Sequence, residues 1–98
     1  MARKVKSTKR ADLRFEEIKN YLTKEFGETT TERFVKKVFS FYDILGTFPQ
    51  IGVVHNPKKG IYGYVLDKPV SIFYRFNDVE VVILNFFDNR SGPERKKH

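Results

Sequence analysis

Few side chains in this 98-residue chain can do chemistry, and most of those are cations. His55 is the only internal histidine, His98 is terminal, and there is no cysteine. Disulfides, thiolate zinc sites and Cys/His nucleophiles are thereby excluded, and one internal imidazole does not make a metal site. His55 precedes Asn56-Pro57-Lys58-Lys59-Gly60, a turn sequence, and reads as a solvated surface histidine. Lys59-Gly60 alone is no phosphate loop. Glu16-Glu17 falls on the polar side of a helix, while Phe34, Phe41 and Phe48 read as core. What remains is Lys58, Lys59, Arg75 and Arg90. Such cations can hold a phosphate and stabilise a cleavage transition state without metal, or anchor the acidic side chains of a protein partner. Neither use calls for a cofactor.

The charge is unevenly distributed. Lys and Arg number 19 against 12 acids, for a net +7. Residues 1–14 carry six basic groups and one acid, residues 88–98 carry four and two, and the middle is balanced. Basic ends suit an acidic partner, or serve solubility alone. No apolar run reaches the roughly 18 residues needed to cross a bilayer, and Met-Ala-Arg-Lys-Val-Lys lacks the apolar stretch of a signal peptide. A cytoplasmic protein without membrane partners is expected.

These side chains have to be positioned by a fold, and the period of the sequence changes near Pro49. Before it, Ala11, Phe15, Ile18, Leu22 and Phe26 mark one face of a helix that Ser7 or Thr8 caps and Gly27 ends. Thr29 with Glu32 fits a capping box for a second helix, with Phe34, Val38, Phe41 and Leu45 on its inner face, widened by Val35 and Tyr42. The short link predicts an antiparallel hairpin, which Gly46 and Pro49 stop. Strands are expected at Val53–Asn56, Ile61–Asp67, Val70–Phe76 and Val79–Phe87, with a further short one at Arg3–Lys6. The fold class is therefore α+β, a helical hairpin packed on one face of a twisted antiparallel sheet. Residues 1–90 form one domain, and 91–98 form a polar basic tail expected to be disordered.

Registers follow from the turns. A two-residue turn at Asn77-Asp78 sets Arg75 opposite Glu80, and a loop at Asp67–Val70 sets Tyr64 opposite Phe73. Strand alternation then puts Gly63, Val65, Ile72, Tyr74, Phe76, Val79, Val81 and Ile83 on one face. Tyr62, Tyr64, Leu66, Ser71, Phe73, Arg75, Glu80, Val82, Leu84 and Phe86 take the other. Two helices cover only one face, so the second, marked as solvent-facing by Arg75–Glu80, should be an exposed aromatic patch that receives a partner.

The pattern resembles the RelE/ParE superfamily of bacterial type II toxin–antitoxin toxins. It runs from Val5 to Arg90 through Ala11-x-x-x-Phe15-x-x-Ile18-x-x-Tyr21, Leu45-x-x-x-Pro49-x-x-Gly52 and Lys59-Gly60-Ile61. It continues through Ile72-Phe73-Tyr74-Arg75-Phe76 and closes on Val82-Ile83-Leu84-Asn85-Phe86-Phe87-Asp88-Asn89-Arg90. The resemblance implies the same helical hairpin on a sheet, and a cognate antitoxin whose C-terminal segment occupies the open face and sheet edges in a hetero-oligomer. The antitoxin-binding residues are then expected to be Tyr62, Tyr64, Leu66, Phe73, Arg75, Leu84 and Phe86. In RelE-like members, which cleave mRNA on the ribosome, a sheet arginine stands where this chain has Ser71, and a tyrosine or histidine serves near the C-terminus. Here Ser91-Gly92-Pro93-Glu94 follows Arg90. The chain is thus closer to ParE-like members, associated with poisoning of DNA gyrase, a binding function without catalytic residues. The alternative is a ribosome-dependent endoribonuclease using Arg90, Lys58, Lys59 and His55.

Overall fold

Thr8 sets the start of the first helix. Its hydroxyl accepts from the Ala11 amide at 3.1 Å, satisfying one of the orphan N–H groups of the first turn. The computed structural model, which describes residues 2–67 and 70–88, runs β1 (Lys4–Ser7), α1 (Lys9–Phe26), α2 (Glu28–Thr47) and a single 3-10 turn at Pro49–Ile51. The strands β2 (Val53–Asn56), β3 (Ile61–Asp67), β4 (Val70–Phe76) and β5 (Glu80–Asp88) follow. Arg90 and the expected tail lie outside the described residues.

Gly27 ends α1 and begins α2 at once. Its φ of +93° is open to glycine at little cost, and its N–H closes on Thr23 O at 3.0 Å. The expected capping box at Thr29 and Glu32 does not form, because α2 already starts at Glu28 and both residues fall inside its first turns. Thr31 takes over the junction: its hydroxyl meets Gly27 O at 3.3 Å and the Thr23 hydroxyl at 2.7 Å.

The sheet order is β1-β5-β4-β3-β2. β2 to β5 are antiparallel, as expected, whereas β1 pairs parallel with β5, Lys4 opposite Glu80 through Ser7 opposite Ile83. Both helices cover one face. Ala11, Ile18 and Leu22 of α1 and Phe34, Val38, Phe41 and Leu45 of α2 meet Val70, Ile72, Tyr74, Val81, Ile83 and Phe86 of the sheet, all of them buried. Phe15 joins the layers, its ring 5.8 Å from Phe34 and 5.5 Å from Phe86. Phe26 and Phe48 are not core: each closes a helix and is more than half exposed.

Both expected registers are corrected. The β4–β5 connection is wider than a two-residue turn: Asn77 N donates to Glu80 O, while Asn77 Oδ1 accepts from the Val79 and Glu80 amides. Phe76 therefore faces Val81 and Arg75 faces Val82, and the Arg75–Glu80 pair is absent; Glu80 meets Lys6 of β1 at 3.2 Å instead. A two-residue shift preserves faces, but a bulge then leaves Leu84 unpaired between Ile83 and Asn85, which sends Phe86 inward. In β3 the slip is a single residue. Tyr64 faces Ile72 and Gly63 faces Phe73, so Tyr62, Tyr64 and Leu66 turn to the helix side and pack against the core. Phe41 stacks on Tyr64 at 4.3 Å.

Candidate functional site: the open sheet face

The uncovered face carries His55, Gly63, Val65, Ser71, Phe73, Arg75 and Val82 from the strands, with Leu84 and Asn85 at the bulge. Of the seven residues expected to bind a partner there, Phe73, Arg75 and Leu84 are in place. Tyr62, Tyr64, Leu66 and Phe86 belong to the helix-covered side. Lys58 and Lys59 stand exposed in the β2–β3 turn, where the Lys59 amide donates to Asn56 Oδ1 at 3.1 Å. His55 lies on β2 and is exposed, as expected, its ring 4.7 Å from that of Phe73.

Gly63 shapes this surface. Phe73 pairs with it across the strands and lays its ring over it; a Cβ there would stand 3.0 Å from the ring. The bare backbone lets the ring lie low on the sheet. On one side of the His55–Phe73 ridge is an apolar groove of about 490 Å³ lined by Ile51, Val53, Val54, Gly63 and Val65. Val53 and Val65 are 76% and 63% exposed, values unusual for valine in a sheet. On the other side is a concavity of about 440 Å³ lined by Thr8, Arg10, Leu84 and Asn85.

Two hydroxyls hold the face in shape. The Tyr74 hydroxyl donates to Pro49 O at 2.6 Å and accepts from Gly52 N at 2.9 Å, pinning the chain that leads into β2. Burial raises the pKa of this phenol against the lowering effect of the Gly52 bond, so it stays a donor. The Thr8 hydroxyl, besides capping α1, donates to Leu84 O at 3.1 Å and so fixes Arg10 beside the β5 bulge.

The electrostatics of the face are one-sided. Val5 points to the core, which turns Lys4 and Lys6 to the open side with Arg75; the one acid there among the described strand residues is Glu80, paired with Lys6. β2 ends the strand order, so its outer edge is unpaired within the sheet. Val53, Val54, Ile51 and Val65, the groove walls, were not among the residues expected from sequence. Their signal was there: Gly63 cannot fill a core between Tyr62 and Tyr64, so the tyrosines had to be the inward set.

Among the described residues no cluster of three His, Asp or Glu side chains is placed to hold a metal ion, and no helix is long and apolar enough to cross a membrane.

A helical hairpin covers one face of a five-stranded sheet and leaves the other open, with apolar residues and cations on it, an α+β architecture. The sequence matches the family described as ParE toxin of type II toxin–antitoxin system, parDE, over residues 5–91, and the chain belongs to that family. Among solved structures it is similar to a chain of the chromosomal ParDE toxin–antitoxin system from P. aeruginosa. That likeness has a TM-score of 0.73 at 18% identity and covers 89% of this chain and 96% of the other, a likeness of fold. No curated protein sequence matches it.

Proposed function

We propose that the chain is a growth-inhibiting toxin that acts on DNA gyrase in the cytoplasm and is held inactive by a cognate antitoxin. Family membership supports the toxin reading. The observation that carries neutralisation is the apolar groove beside the free edge of β2, with Val53, Val65 and Phe73 on its surface. An extended antitoxin segment would add to that edge through main-chain hydrogen bonds and set alternate apolar side chains into the groove. Each side chain so buried contributes roughly 1.5–3 kcal/mol before the cost of ordering a flexible segment. Cations around the face would speed encounter with an acidic segment more than they deepen affinity. Phe73, Arg75 and Leu84 keep their expected part in this contact; Tyr62, Tyr64, Leu66 and Phe86 act beneath it, as support.

Purified protein in a gyrase supercoiling assay tests the target, with a ribosome-bound mRNA cleavage assay beside it. Inhibited supercoiling and intact mRNA are expected. Codon-spaced cleavage lost with His55→Ala or Arg90→Ala would replace this reading with the endoribonuclease. For the groove, Val53→Asp and Phe73→Asp should each abolish co-purification with a co-expressed cognate antitoxin.

A further inference from the structure

We infer that the antitoxin segment is gripped on both sides of the β2 edge, by the open groove and by a second apolar wall on the helix side. Val54, with Ile44 and Phe48 at the end of α2, forms that wall, and the segment is therefore apolar at successive positions. This rests on the groove being the antitoxin site and extends it around the edge. Asp, Glu, Lys and Arg make up 32% of the chain, yet residues 44–57 contain none of them. Those residues are not withdrawn from solvent: Phe48, Val54 and Ile44 are 61%, 51% and 42% exposed, and Ile51 and Val53 are exposed beside them. Large apolar groups without charge, kept at the surface, are what the centre of a protein interface consists of.

The helix side-chain pattern carries this belt over the edge. Lys37 of α2 reaches Asp67 of β3 at 3.3 Å, and Phe41 stacks on Tyr64. That side of α2 leans over β3, and Ile44 and Phe48 continue it at helical spacing toward Tyr62. Tyr62 is the cross-strand partner of Val54, which alternation turns to the helix side, while Val53, opposite Gly63, faces the groove. Ile51 joins the two walls: its amide donates to Phe48 O at 3.1 Å, and it lines the groove. The other free edge is unlike this one. β1 carries Lys4 and Lys6, a common guard against strand addition, and the Arg3 amide before it is held by Gly46 O at 2.7 Å; β2 has no lysine. A strand laid against β2 turns its side chains alternately to the two faces. One apolar wall asks for an alternating segment, and two ask for a continuous apolar run, as in strands buried on both faces. A second copy suits the belt less well, since two molecules of net charge +7 repel each other.

The test is titration of the refolded full-length protein with its cognate antitoxin, each variant first shown to be folded by its melting curve. Phe48→Ala should weaken binding about tenfold or more, and Ile44→Ala and Val54→Ala about threefold each. Leu13→Ala and Phe39→Ala, exposed apolar positions outside the belt, should leave it unchanged. Aspartate placed at successive positions of the antitoxin segment should weaken binding at every one. If Val53→Asp abolishes binding while the three helix-side variants do nothing, the inference falls and the groove assignment stands. If Val53→Asp is also without effect, both fall. Weakening by aspartate at every second antitoxin position only overturns the inference, and so does an effect of Phe39→Ala equal to that of Phe48→Ala. A free protein that sediments as a dimer, and that Phe48→Ala returns to monomers, gives the belt to a second copy and overturns it likewise.

Discussion

Phe86 and Phe87 are neighbours in the chain and stand on opposite sides of one sheet. Phe86 is 1% exposed, packed against Phe15 of α1; Phe87 is 39% exposed on the uncovered face. The same contrast runs through β4, where Ile72 and Tyr74 are buried while Ser71, Phe73 and Arg75 look outward. One face spends its apolar groups on holding the helices. The other keeps them available, and only the first should matter to stability.

The sharpest way to break that contrast is to truncate the two phenylalanines in turn. Phe86→Ala should cost about 3–5 kcal/mol in urea unfolding, as large-to-small changes in packed cores do. Phe87→Ala should cost less than about 1 kcal/mol. Similar losses for both would mean that the uncovered face is structural after all. Next in size is Tyr74→Phe. It removes a hydroxyl that serves Pro49 O and Gly52 N together, and should cost about 1–3 kcal/mol while loosening the entry into β2.

A third effect appears only in alkali. Burial, aided by Asp12, pushes the Tyr42 pKa up to about 12 from the usual value of 10.0. Below pH 10 the phenol is protonated in folded and unfolded chains alike, and its contribution is complete. Between pH 10 and 12 the unfolded chain loses the proton first, so stability falls as pH rises. Because the ring is only partly buried, solvent screening holds the loss to about 1 kcal/mol. Equilibrium unfolding at successive pH values should show a steeper decline for the native protein than for Tyr42→Phe; parallel curves would exclude Tyr42 as the source. The smallest effect belongs to the partly exposed Lys6–Glu80 pair at 3.2 Å, for which a double-mutant cycle should return under about 1 kcal/mol.

The elements themselves were legible in the sequence. Apolar spacing placed both helices, and the β-branched and aromatic runs gave β2, β3 and β4 their observed bounds, because local preference and tertiary packing agree in those segments. The faces were less legible. Alternation sorts a strand into two sets without saying which set faces inward, and register depends on turns and bulges that local preference does not encode. At Asn77 a side-chain oxygen capped two amides and widened the turn, a change of two residues that preserved the faces. At Leu66 and Leu84 one extra residue reversed them, and four aromatic or apolar side chains expected outside lie inside. The cations at Lys58 and Lys59 were visible from composition; the groove walls could be read only indirectly, through Gly63, since a valine exposed on an edge strand looks in sequence like one buried in a core.

The pairing of β1 with β5 also places the fold in time. Lys4 lies opposite Glu80, and β5 sits between β1 and β4 rather than at an edge. At 5–20 residues per second, a ribosome takes roughly 4–15 s to make the chain between those two partners. Until then β1 has no neighbour, α1 lacks the strand it rests on, and the sheet is only a three-stranded meander. The part of the open face that β5 supplies, Val82, Leu84 and Asn85, is therefore the last to be made. Whatever recognises the whole face meets a nearly finished protein, and a translation product cut short before residue 80 would carry the groove residues of β2, β3 and β4 but none of those on β5.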